Sequence, residues 1–157
     1  MSHKKDKSKV EKILMGIGNE LKGDEGIGNI IAREFSSKGW LSLACETVPE
    51  NFIGIVKKRR PKMLVIVDAA NMSLPVGEFR IIPKDMLLSN AFGTHGIPLK
   101  YIVSYLERYV EKIVFIGIQI GEIKLKGGIS PEVKEAKEKL IDILKRDEIE
   151  TIKTLSY

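Results

Sequence analysis

The chain has one cysteine, Cys45, so no internal disulfide can hold it together and its stability must come from a packed core. With 157 residues it has the length of one domain, able to bury roughly 70% of the surface that its unfolded form exposes. Cys45 sits among Leu41, Leu43 and Ala44 in a short strand pattern, where a free thiol packs as a small hydrophobe. Long apolar runs are missing as well: none approaches the ~20 residues that span a bilayer, which predicts no membrane insertion. The opening residues 1–9 are polar and lysine-rich and lead straight into an apolar strand, without the separate apolar stretch and cleavage site of a signal peptide. A cytoplasmic location is expected. No Gly-x-Ser-x-Gly occurs, so the nucleophile elbow of α/β hydrolases is excluded. Histidine is scarce, and the only one outside the N-terminal tail is His95.

Charge excludes a further class. The formal excess of +5 is modest. Lys4, Lys5, Lys7 and Lys9 belong to the tail, and Lys57, Lys58, Arg59 and Arg60 close a helix, where cations complement its dipole. No basic stretch is interleaved with aromatics and no reading helix is evident, so no nucleic-acid partner is expected. Nothing in the pattern calls for an oligomer, and a monomer is expected.

What the chain does contain is alternation. Ile13 to Ile17 is a short apolar strand, and Ile27, Ile30, Ile31 and Phe35 then recur at helical spacing, predicting a helix opened by Asp24 or Glu25 and ending near Gly39. Trp40 to Thr47 reads as a strand, and Pro49 starts a helix through Val56 that ends before Pro61. Met63 to Val67 has the Val and Ile content of a parallel strand covered on both faces. Glu78 and Arg80 between apolar neighbours mark Val76 to Ile82 as a half-exposed edge strand. Residues 83–96 carry no regular pattern. A helix follows from about Gly96 or Pro98 through Val110, then a buried strand from Ile113 to Ile118, then a loop or hairpin. Ser130-Pro131-Glu132 opens a last helix with Val133, Ala136, Leu140 and Leu144 facing inward. The order predicts an α/β fold: a three-layer sandwich around a mostly parallel twisted sheet with one antiparallel edge strand. Residues 1–10 read as a flexible tail and 11–157 as a single domain.

In such folds ligands bind beyond the C-terminal ends of the strands. Three candidate side chains fall there. Glu25 lies in the glycine-rich turn Gly16-Ile17-Gly18-Asn19-Glu20-Leu21-Lys22-Gly23-Asp24-Glu25-Gly26-Ile27-Gly28, Asp68 closes the strand Val65-Ile66-Val67, and His95 is flanked by glycine and threonine. Two carboxylates and an imidazole are the ligand set of an open divalent-metal site. A dinucleotide fingerprint does not fit the first segment, because Asn19 to Lys22 interrupt the glycines and Asp24-Glu25 would repel a diphosphate at the helix start. Asp24 is also explained as a helix cap. Asn19 and Gln119, each after a strand, are placed to bind a ligand backbone or to satisfy local main-chain groups.

The glycine-rich segment resembles the opening motif of the hydrogenase maturation proteases: glycine–x–glycine–asparagine, then two acidic residues and glycine–x–glycine. Val67-Asp68-Ala69, Thr94-His95-Gly96 and Phe115-Ile116-Gly117-Ile118-Gln119 resemble the motifs that follow, in the same order. One departure is Ile120, where the family often has proline. The resemblance implies an endopeptidase that removes a C-terminal extension from the large-subunit precursor of a [NiFe] hydrogenase once nickel has entered it. It also implies that Glu25, Asp68 and His95 bind a divalent ion, most simply nickel recognised in the substrate, with Asp24 as the adjacent cap. Asp68 or Glu25 would act as the general base. Whether the metal aligns the precursor or activates water is left open by the sequence. So is a rival of another class, a nickel-sensing chaperone that binds the precursor without cutting it.

Overall fold

The computed structural model describes residues 10–89, 99–122 and 128–156. Five strands form one sheet: β1 (Lys12–Gly16), β2 (Trp40–Ala44), β3 (Met63–Ala70), β4 (Phe79–Ile82) and β5 (Lys112–Gln119). Their order across the sheet is β2-β1-β3-β5-β4, with every pair parallel except β4 with β5. The mostly parallel sheet with one antiparallel edge strand is therefore present. That edge is extended by the C-terminal segment, where Ile81 N–H donates to Lys153 O at 2.9 Å and Leu155 N–H to Ile81 O at 2.8 Å.

Two helical layers cover the sheet. On one face α1 (Ile27–Glu34) and α5 (Pro131–Lys145) pack Ile27, Ile31, Val133, Ala136 and Leu140 against Leu14, Val65 and Ile116. On the other, α2 (Ile53–Arg59), α3 (Lys84–Ser89) and α4 (Leu99–Leu106) pack Val56, Met86, Leu87, Ile102 and Leu106 against Met15, Ile66 and Phe115. Because both faces are covered, β3 is buried from Leu64 to Asp68. Its Leu, Val and Ile side chains are each worth about 1.5–3 kcal/mol when taken fully out of water. Cys45 is fully buried in the α2–α4 layer. Burial and the nearby Glu50 charge push its thiol up to about 12, an inert core thiol as expected.

The elements depart from the sequence reading in three places. The segment predicted to open the first helix is a separate 3-10 segment, Glu20–Gly26, and α1 begins only at Ile27. Lys22 and Gly23 break the helix there, Gly23 at φ 60° and ψ −123°, a conformation that suits glycine. Asp68 does not end β3 but sits inside it, opposite Gly117 of β5. The stretch without pattern after Ile82 contains α3, a helix of six residues, too short for periodicity to register.

The order of the strands fixes where a ligand can reach. From β1 the chain moves to β2 on one side, while β3 pairs with β1 on the other, so the sheet has its switch point between β1 and β3. A crevice opens beyond the C-terminal ends of two such strands. Among the described residues no helix is long and apolar enough to cross a membrane.

Candidate active site

Glycine at two positions lets the segment after β1 fold down onto the switch point. A Cβ on Gly28 would stand 2.3 Å from both Ile17 O and Val67 O, so only glycine lets the start of α1 rest on β1 and β3. A Cβ on Gly18 would lie 2.4 Å from Glu25 O. That missing methyl group seats the backbone of Glu25 against the end of β1, and the 3-10 segment packs on β3. Asp68 is in β3 itself, one residue beyond Val67, whose carbonyl accepts from Ile17 N–H at 2.9 Å.

Both carboxylates are buried, Glu25 at 8% exposure and Asp68 at 1%. Asp68 Oδ1 accepts the Ala69 N–H at 2.8 Å. Lys22 Nζ lies 4.0 Å from Glu25 Oε2, a loose ion pair. Carboxylate oxygens are donors that divalent ions accept, so both residues have the chemistry to contribute to a metal site. His95 lies outside the described residues. Among the described residues no group of three His, Cys, Asp or Glu is gathered for a metal.

The two adjacent acids of the motif have different fates. Asp24 does not cap α1, whose N-terminus at Gly26 has no side-chain cap. It reaches instead to Ser130, the N-cap residue of α5, accepting its N–H at 2.6 Å and its hydroxyl at 2.7 Å. A carboxylate at a helix N-terminus meets free N–H groups and the positive end of the dipole. Asp24 therefore ties the site segment to the far end of the chain, while its neighbour Glu25 is buried at the switch point.

Comparison with known proteins decides the family. A model of the hydrogenase maturation protease family (HycI) matches residues 31–147. The chain belongs to the hydrogenase maturation protease family. A putative hydrogenase maturation protease of Methanocaldococcus jannaschii is 35% identical to this protease over 144 residues, 84% of this chain and 85% of that one. The hydrogenase 3 maturation protease of Escherichia coli K12 is 34% identical over 130 residues, covering 80% and 83%. Among solved structures, a hydrogenase 3 maturation protease superposes with a TM-score of 0.87 at 29% identity, covering 94% of this chain and 98% of that one. A [NiFe] hydrogenase maturation protease HycI from Thermococcus kodakarensis gives 0.77 at 32% identity, covering 90% and 94%.

The other two polar candidates of the protease make internal bonds. Asn19 is the N-cap of the 3-10 segment, its Oδ1 accepting Leu21 N–H at 3.0 Å. Gln119 is buried, and its Oε1 accepts Met72 N–H at 2.6 Å and Leu74 N–H at 3.3 Å while Nε2 donates to Ile120 O at 2.8 Å. Each shapes a loop at the site edge.

The sequence reading missed Asn29, the centre of a polar network. It is 5% exposed, donates to Glu20 Oε2 at 2.6 Å and accepts Glu46 N–H at 2.8 Å, so it joins the loops after β1 and β2. Arg33 completes the network with bonds of 2.8 and 3.3 Å to Glu20. The Arg33 hydrogen bond, with help from Asn29, holds the Glu20 carboxyl below the usual glutamate range against its partial burial. The only signal in the sequence was an asparagine within an otherwise apolar helical face.

Proposed function

We propose that this protease removes the C-terminal extension of a nickel-loaded [NiFe] hydrogenase large-subunit precursor, with Glu25 and Asp68 as its acting carboxylates. One observation carries the reading: two buried carboxylates on adjoining segments at the switch point of the sheet, in a chain of the hydrogenase maturation protease family. A relative named as a [NiFe] hydrogenase maturation protease supports the substrate class. Nickel enters as part of the precursor. Two carboxylate oxygens and an imidazole suit a first-row divalent ion, and Glu25, Asp68 and His95 are the residues assigned to it.

Recognition of nickel already held by the precursor explains specificity for the loaded form: a precursor without metal brings no cation to the two carboxylates, which disfavours docking. Peptide hydrolysis then needs a base to take a proton from the attacking water and an acid to return it to the leaving amide nitrogen. One carboxylate serves both steps in turn. Asn19 and Gln119 contact the substrate backbone through the loops they shape.

The test is mass spectrometry of purified protein mixed with nickel-loaded and nickel-free precursor. A single C-terminal peptide is expected from loaded precursor alone. Asp68→Asn and His95→Ala should each lower the rate at least ~10³-fold, the scale set by loss of positioned charge, while thermal unfolding shows the fold retained. Loaded precursor that is bound but never cut would replace the protease reading with a non-catalytic nickel-sensing chaperone.

A further inference from the structure

We infer that Leu21 is an apolar anchor which seats the precursor beside the Glu25 carboxylate, an inference that rests on the proposed precursor-trimming function. Leu21 is 81% exposed, whereas the other exposed large hydrophobic side chains among the described residues lie between 37% and 61%. It joins neither core cluster of the described residues. Single exposed apolar residues are common on protein surfaces. The segment that displays this one sets it apart.

The backbone on both sides of Leu21 is fixed. Its own N–H is bonded to Asn19 Oδ1 at 3.0 Å, and Lys22 N–H donates to Asn19 O at 3.0 Å. Glu20 is gripped by Asn29 and Arg33. The Glu20 Cα lies where a Cβ on Gly26 would come within 2.5 Å, so the two ends of the 3-10 segment are in contact. Leu21 and Glu25 thus ride on one braced segment of seven residues. The Leu21 side chain, outside both core clusters, adds little to the packed core. A rigid loop that presents a fixed hydrophobe loses little side-chain and backbone freedom on binding, which is what makes a small apolar contact effective.

The occupant follows from location. Leu21 is on the same short segment as Glu25, so an apolar recess or side chain on a precursor docked at Glu25 would remove Leu21 from water. The flanking Lys22, 46% exposed at its side chain, frames the contact with a polar rim.

Steady-state processing by Leu21→Ala and Leu21→Asp variants tests this, with Ile55→Ala, an exposed aliphatic on α2, as the control. Leu21→Ala should raise KM about tenfold, the effect of one lost apolar anchor, with kcat within about twofold and the melting temperature unchanged. Leu21→Asp should raise KM further, and Ile55→Ala should not change it. Precursor affinity is measured in parallel for wild type and Leu21→Ala by rapid-mixing association, so binding is read before cutting. An unchanged KM and affinity for Leu21→Ala would overturn the inference, as would a fall in melting temperature or a loss confined to kcat. If the wild type binds loaded precursor but never cuts it, the protease reading fails, and the tenfold loss of affinity still decides the role of Leu21. A precursor neither bound nor cut overturns both.

Discussion

The loops that follow β1 and β3 leave the sheet at the same edge, the first carrying Glu25 and the second following the strand that holds Asp68, yet they are held by different means. After β1 most restraints are local: Asn19 caps the turn, Glu20 bonds Asn29 and Arg33 of the following helix, and glycines allow the turn to close on itself, while Asp24 adds a remote tie to Ser130. After β3 the restraint is remote. Met72 and Leu74 hang from the amide of Gln119, more than forty positions along the chain. The first loop is shaped mainly by its own residues and the helix that follows it. The second exists only once β5 has paired with β3. Asp68 needs less help than Glu25, because it is part of a buried strand with a partner on β5, whereas Glu25 stands on a turn that must be braced.

Breaking each restraint separately would sharpen the contrast. The largest effect belongs to Gly28→Ala. A methyl group 2.3 Å from two strand carbonyls forces α1 off the sheet, and a loss of about 3 kcal/mol is expected, the upper range for overpacking a rigid contact. Chemical denaturation measures it, and activity should fall with it because Glu25 moves too.

Gln119→Leu comes next. It leaves two loop N–H groups without their acceptor, which costs about 1–3 kcal/mol. Amide exchange should quicken at Met72 and Leu74 while Leu21 and Lys22 keep their protection. Equal loosening of both loops would show that the edge moves as one body.

The smallest effect concerns Glu20 and depends on pH. Its folded carboxyl titrates below the usual range, chiefly because Arg33 hydrogen-bonds the charged form. A depressed pKa means that the contribution is fully present above the ordinary glutamate range and is lost as pH falls through the folded value. Wild type should therefore exceed Glu20→Gln in stability near neutrality, and the gap should close on acidification. A gap that does not change with pH would show that the bond to Asn29 dominates. High salt should narrow it as well, since the Arg33 side chain is 57% exposed.

Local chemistry made much of this protein readable from its residues. Alternating apolar strands and helical repeats predicted the layers, the parallel sheet and its antiparallel edge, because period and burial are properties of short windows. The glycine-rich turn after β1 and the carboxylate in β3 marked the candidate residues, because both fall beyond or near the C-terminal ends of strands, where ligands bind in such folds. Tertiary structure decided what depended on distant partners. Asp24, read as a cap for the helix beside it, is committed to Ser130 over a separation of 106 positions, a bond no local rule contains. Asn29 became a junction because the turns after β1 and β2 converge on it. The short helix α3 draws its stability from Met86 and Leu87 buried in the core, since six residues are too few to hold a helix by propensity alone. Sequence determined which side chains could act, because chemistry resides in residue type. The fold decided how each is held, because a partner such as Ser130, bonded to the Asp24 carboxylate, comes within reach only when distant segments of the chain pack together.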